Sequence, residues 1–99
     1  MERLGGRKEM LGHFFTMYTK DATESLKLLE DAIDSGDGNQ IRIHAHTIKG
    51  AAANIAALRV RDTAAAMENF AREGKTDDAA LLLPQLKKKL KAFNQEFTG

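Results

Sequence analysis

Apolar residues recur at intervals of three and four along most of this chain, a spacing that suits α-helices and leaves no place for strands, which would need alternation with a period of two. Met10, Leu11, Phe14, Phe15 and Tyr18 form one such face and predict a short first helix from Arg7 to Tyr18. A second runs from Asp21, three residues before Glu24 as in a capping box, to Ser35, with Ala22, Leu26, Leu29 and Ile33 inward. Gly36 suits the left-handed position that closes a helix, and Asp37 is placed to cap the next, with Gln40 reaching back to complete a second box. The third helix carries Ile41, Ala45, Ile48, Ala52 and Ile55 on one face. If it continued, Arg59 and Asp62 would arrive on that buried face, so the phase predicts a break near Ala56 to Leu58. Val60, Ala64, Met67 and Ala71 then set a new face, flanked by Phe70, and Gly74 ends the fourth helix. Thr76 is the expected cap of a fifth, with Ala79, Leu83, Leu86, Leu90, Phe93 and Phe97 inward and a lysine-rich outer face. Pro84 within it predicts a kink or a shifted start.

The expected fold class is therefore all-α: an antiparallel up-down four-helix bundle with an additional short N-terminal helix. Residues 1–6 read as a flexible lead-in and residues 7–99 as a single domain, which can equally be one domain of a longer protein. A hydrophobic fraction of 42% with 29% charged residues is ordinary for a globular chain, and a formal charge of +1 argues against a nucleic-acid footprint. The absence of cysteine excludes disulfides, thiol chemistry and thiolate metal sites, in keeping with a cytoplasmic location. The longest apolar runs are too short to span a bilayer. No spare apolar stripe calls for a second subunit, so a monomer is expected.

On the third helix, His46 points about 140° away from the centre of the apolar face while His44 lies only about 60° from it. His46 therefore faces water, with Arg42, Lys49, Gly50 and Ala53 one turn away. A lone exposed histidine is usually a surface residue; these neighbours argue for more. Glycine inside a helix costs about 1 kcal/mol relative to alanine, and Gly50 lies outward, where close helix packing does not explain it. Its missing side chain clears the approach to the imidazole, and Lys49 brings an ammonium near any anion the ring carries. The group suits a histidine that accepts a phosphoryl group.

His46-Thr47-Ile48-Lys49-Gly50 resembles the His-x-x-Lys-Gly signature of histidine-containing phosphotransfer (Hpt) domains, the helical bundles that relay phosphoryl groups in two-component signalling. Gly36-Asp37, Ala52-Ala53-Asn54-Ile55, Val60, Ala64, Met67-Glu68 and Gly74 also fall where that family places similar residues, so the likeness extends from about Met10 to Phe97. The chain departs from the family at Ala56, where glycine is usual. The resemblance implies His46 as phosphoacceptor, Lys49 as stabiliser of the phosphoryl group and Gly50 as the residue that gives access. The rival His44 has the wrong spacing to Lys49 and Gly50. It further implies a carrier rather than an enzyme, taking the group from a receiver-domain aspartate through Nε2 and passing it to a second receiver, with Mg²⁺ held by the receiver and no cofactor or metal of its own. A docking surface is expected on Asn39, Arg42, Ile43, Gly50, Ala53 and Asn54, where an isoleucine far from the core suits a partner contact.

Two other readings bear on the same residues. One is the phosphoacceptor domain of a chemotaxis-type histidine kinase, charged by a kinase domain; the other is a helical protein-binding module in which His46 is incidental. A zinc site fits poorly, since His44 and His46 diverge on a helix where paired ligands want a spacing of four. The lysines from Lys87 to Lys91 read as a solvated face, and no stretch offers a hydrolase's nucleophile and base.

Overall fold

The computed structural model describes the backbone of residues 2–54 and 57–98 and the side chains of residues 16–54 and 57–94. Among the described residues five helices follow in order: α1 (Glu2–Ser35), α2 (Gly38–Asn54), α3 (Leu58–Arg72), α4 (Thr76–Leu81) and α5 (Leu83–Thr98). No strand occurs among the described residues. The all-α bundle is the expected one, with extents of 51 × 18 × 18 Å. Its long axis matches the roughly 51 Å that 34 helical residues rise.

The first two expected helices are a single one. Tyr18, Ala22, Ser25, Leu29 and Ala32 are all buried, and their spacing of four, three, four and three keeps one stripe in phase through the supposed junction. Thr19, Lys20 and Asp21 include neither glycine nor proline, so nothing breaks the helix there, and the exposed Asp21 sits within it rather than capping it. There is accordingly no separate short N-terminal helix. α1 begins at Glu2, inside the stretch read as a lead-in. The side chains of Met10, Leu11, Phe14, Phe15 and Phe97, and all of Ile55 and Ala56, lie outside the described residues.

The α1–α2 turn follows its chemistry. Gly36 takes φ +69°, which a side chain would strain, and the Gln40 backbone N–H donates to Asp37 Oδ1 at 3.1 Å. Gln40 does not complete the box. One turn along the helix, His44 Nε2 lies 3.1 Å from Gln40 Oε1, and the two side chains satisfy each other. Ile41, Ala45, Ile48 and Ala52 are fully buried, as their phase requires. The break also falls as expected, with Ala57 preceding α3 and its N–H bonded to the Ala52 carbonyl at 2.8 Å. Val60, Ala64, Met67 and Ala71 then face the core. Gly74, at φ +78°, closes the helix.

Thr76 does not cap the next helix. Lys75 holds that position without a side-chain bond, and Thr76 is the first residue of α4. Its methyl is used in packing instead: a Cβ added to Gly38 would lie 3.2 Å from Thr76 Cγ2. The fifth expected helix is divided at Leu82, which places Pro84 in the first turn of α5, where its missing N–H leaves no helical bond unmade. Two of the lysines read as solvated do more than that. Lys89 Nζ donates to Thr63 Oγ1 of α3 at 2.7 Å, and Lys87 pairs with Glu30 of α1. Together with the edge-to-face contact of Tyr18 and Phe93, at 5.8 Å between ring centres, they close α5 onto the bundle.

Candidate phosphoryl-accepting site

The site is built on two helices. His46 and Lys49 stand on the flank of α2 that faces α3, and between them, rising from α3, is Glu68. Its carboxylate is buried, with only 4% of the side chain exposed, whereas the His46 side chain is 63% exposed. Glu68 Oε2 lies 2.9 Å from His46 Nδ1, and Lys49 Nζ donates to Oε1 at 2.6 Å. Arg72, one turn further along α3, brings its guanidinium to 3.4 Å from Oε2 and to 3.3 Å from Asn69 Oδ1. One carboxylate thus gathers an imidazole and two cations.

The protonation states follow from that arrangement. Burial by itself pushes the Glu68 carboxyl up, but the hydrogen bonds and charges of Lys49 and then His46 outweigh it and hold the group below its ordinary value. Glu68 is therefore an anion at neutral pH and can only accept, so the hydrogen bond requires the proton to sit on His46 Nδ1. In the neutral ring this leaves the lone pair on Nε2, and nothing among the described residues bonds to that nitrogen. A histidine held this way presents a nucleophilic nitrogen to the solvent and keeps its other nitrogen protonated.

Because Glu68 ionises at lower pH in the folded chain than in the unfolded one, its contribution to stability is complete above the ordinary carboxylate value of 4.5 and is lost as pH falls through the lower folded value. The difference in melting temperature between wild type and Glu68→Gln should therefore shrink on acidification below that value. A difference independent of pH would contradict the ion cluster.

The other predicted residues fall around this centre. Gly50 is exposed, and a Cβ there would meet nothing within 4 Å, so the space beside the imidazole is open. Asn39, Ala53 and Asn54 are exposed, Ile43 is 38% exposed, and Arg42 is half-buried with its guanidinium 3.0 Å from Asn39 Oδ1. His44 is only half-buried, so burial alone does not disqualify it. It lies on the opposite flank, engaged with Gln40 and, among the described residues, without a lysine or carboxylate partner. Glu68 is the functional candidate that the helical phase left without a role. The signal was there: Glu68 is four residues from Ala64 and three from Ala71, on the inward face of α3, and a buried carboxylate must find partners.

An exposed histidine hydrogen-bonded to a buried carboxylate, with a lysine and a glycine on the same helix of a helical bundle, is an arrangement suited to a phosphoryl carrier. The Hpt domain family model matches residues 13–96, and the chain belongs to that family. Its fold is similar to the crystal structure of histidine-containing phosphotransfer protein B (HptB) from Pseudomonas aeruginosa PAO1. The TM-score is 0.79 with 26% identity, over 94% of this chain and 88% of that one. No curated protein matches the sequence. The chain is thus a histidine phosphotransfer module of the phosphorelay type, and Hpt domains of this kind work with receiver domains and kinases. No helix among the described residues is long and apolar enough to cross a membrane.

Proposed function

We propose that this domain is a cytoplasmic carrier that takes a phosphoryl group onto His46 Nε2 from a receiver-domain aspartate and delivers it to the aspartate of a second receiver. The observation that carries the reading is the 2.9 Å contact between His46 Nδ1 and the buried Glu68 carboxylate, which leaves Nε2 as the free lone pair. In the incoming step, that lone pair attacks the phosphorus of the aspartyl phosphate. The N–P bond forms as the P–O bond to the aspartate breaks, the aspartate leaves as a carboxylate, and the ring becomes an imidazolium with its proton still on Nδ1. Lys49, one-third exposed, has reach to turn from Glu68 toward a phosphoryl oxygen. Mg²⁺ would be supplied by the receiver, where it offsets charge at the transferring group.

The proposed docking surface lies on the helix that carries His46. Asn39, Ile43, Gly50, Ala53 and Asn54 are exposed and Arg42 is half-buried on that helix, and Ile43, 38% exposed, offers a partner an apolar contact. Gly50 separates access from stability. Gly50→Ala should stabilise the fold by up to about 1 kcal/mol, because helix propensity improves where no atom is crowded. Gly50→Leu should fold equally well yet slow phosphoryl uptake about tenfold or more by obstructing the partner. Uptake unchanged in Gly50→Leu would remove the access role.

The test of the function is transfer from a receiver domain charged with a small-molecule phosphodonor in the presence of Mg²⁺. An acid-labile, base-stable label on this chain is the expected result. Labelling by an ATP-bound histidine kinase domain but by no receiver would assign it instead to the kinase-charged class, and no labelling from either would contradict the carrier role.

A further inference from the structure

The contact that readies His46 to accept a phosphoryl group also bears on how it gives the group away. In a ring phosphorylated on Nε2, cleavage of the N–P bond releases a neutral imidazole if Nδ1 is protonated, but an imidazolate, a far poorer leaving group, if it is not. The donor form is therefore the one that keeps the Nδ1 proton. Resting on His46 as the acceptor, we propose that Glu68 holds that proton in place throughout the phosphorylated state and so keeps the phosphohistidine a competent donor.

The cycle then balances without a proton transfer. Nε2 gains phosphorus while Nδ1 stays protonated against Glu68 Oε2; in the outgoing step the N–P bond breaks, the P–O bond to the next aspartate forms, and the neutral Nδ1–H ring returns. Glu68 touches neither the phosphoryl group nor the incoming aspartate, so it is a positioning residue. The charges around the ring pull in both directions. The Glu68 carboxylate and the phosphoryl group favour the protonated ring, while Lys49 on α2 and Arg72 on α3, both bonded to Glu68, and Arg42 one turn from His46 disfavour it. Among the described residues no charged group of α1, α4 or α5 is bonded to His46 or Glu68. Glu68 prevails because it alone makes a direct hydrogen bond to Nδ1, from a site where only 4% of its side chain meets solvent to screen it.

The experiment is ¹⁵N-histidine and ³¹P NMR of the whole chain phosphorylated with phosphoramidate and titrated between about pH 6 and 9, in wild type and Glu68→Gln. The amide oxygen of the variant can still accept from Nδ1–H, so the ring stays oriented while the charge is lost. The protonation midpoint of the phosphorylated His46 ring should fall by about one pH unit or more in Glu68→Gln, and above the wild-type midpoint its phosphoryl group should be lost roughly tenfold more slowly than in wild type. Equal midpoints would overturn the proposal. Should the variant fail to fold, the wild-type midpoint is compared with that of the same phosphorylated chain unfolded in urea: a higher value in the folded chain supports the proposal, and an equal or lower one refutes it. A folded wild type that gains no N–P signal at His46 would instead remove the acceptor assignment on which the proposal stands.

Discussion

His46→Gln should abolish phosphoryl uptake from a charged receiver, a loss on the order of 10³-fold or more, while His44→Gln should label at close to the wild-type rate. Glutamine has no nucleophilic ring nitrogen, so the loss is chemical rather than steric. The fold has little to lose, since the His46 side chain is 63% exposed and is held by its hydrogen bond to Glu68. His44 differs in each feature that matters: its Nε2 is occupied by Gln40, it stands on the other flank of α2, and neither Lys49 nor Glu68 is within bonding reach. Far-UV circular dichroism of both variants should overlay the wild type. Retained labelling in His46→Gln would move the acceptor elsewhere on the chain.

Ile48→Ala should lower the stability of the domain by about 2–5 kcal/mol, read as a shift of the urea midpoint with an unchanged slope. Ile48 has no exposed surface and lies midway between Ala45 and Ala52 on the face that α2 turns to both α1 and α3. The surrounding core is rich in alanine: Ala22, Ala32, Ala45, Ala52, Ala64 and Ala79 are all buried. Small residues bring the helix backbones close, and they have no flexible side chains that could swing into a cavity left at position 48. The loss would be a large part of the total stability of a domain this size. A cost under about 1 kcal/mol would mean that α2 is not the central helix of the bundle.

How far the chain could be read in advance depended on whether the deciding interaction was local. The phase of Ile41, Ala45, Ile48 and Ala52 settled which way His46 faces, because a helix fixes those angles within a few residues. Gly36 and Gly74 were legible for a similar reason: each takes a positive φ to end a helix. Local chemistry misled where one residue type serves two purposes. Asp21 with Glu24 looked like a cap, yet an uninterrupted stripe through Tyr18 and Ala22 carries α1 past them. Thr76 looked like a cap and is a packing residue against Gly38. Interactions across the bundle were not legible at all. Glu68 is 22 residues from His46, and only the antiparallel packing of α2 on α3 brings them together; Lys89 and Thr63 meet across 26 residues in the same way. The helical spacing could say that Glu68 was inward, but not that a histidine and a lysine would be waiting for it.

Carriage of the phosphoryl group on Nε2 of His46 can be followed by a pulse and chase. The chain is charged from a labelled receiver with Mg²⁺, freed of that receiver, examined by ³¹P–¹⁵N correlation, and then mixed with a second, unlabelled receiver. A single N–P signal is expected on the Nε2 nitrogen of His46, disappearing as label appears on the second receiver. A signal on Nδ1 or on His44, or a label on His46 that no receiver can remove, would contradict it.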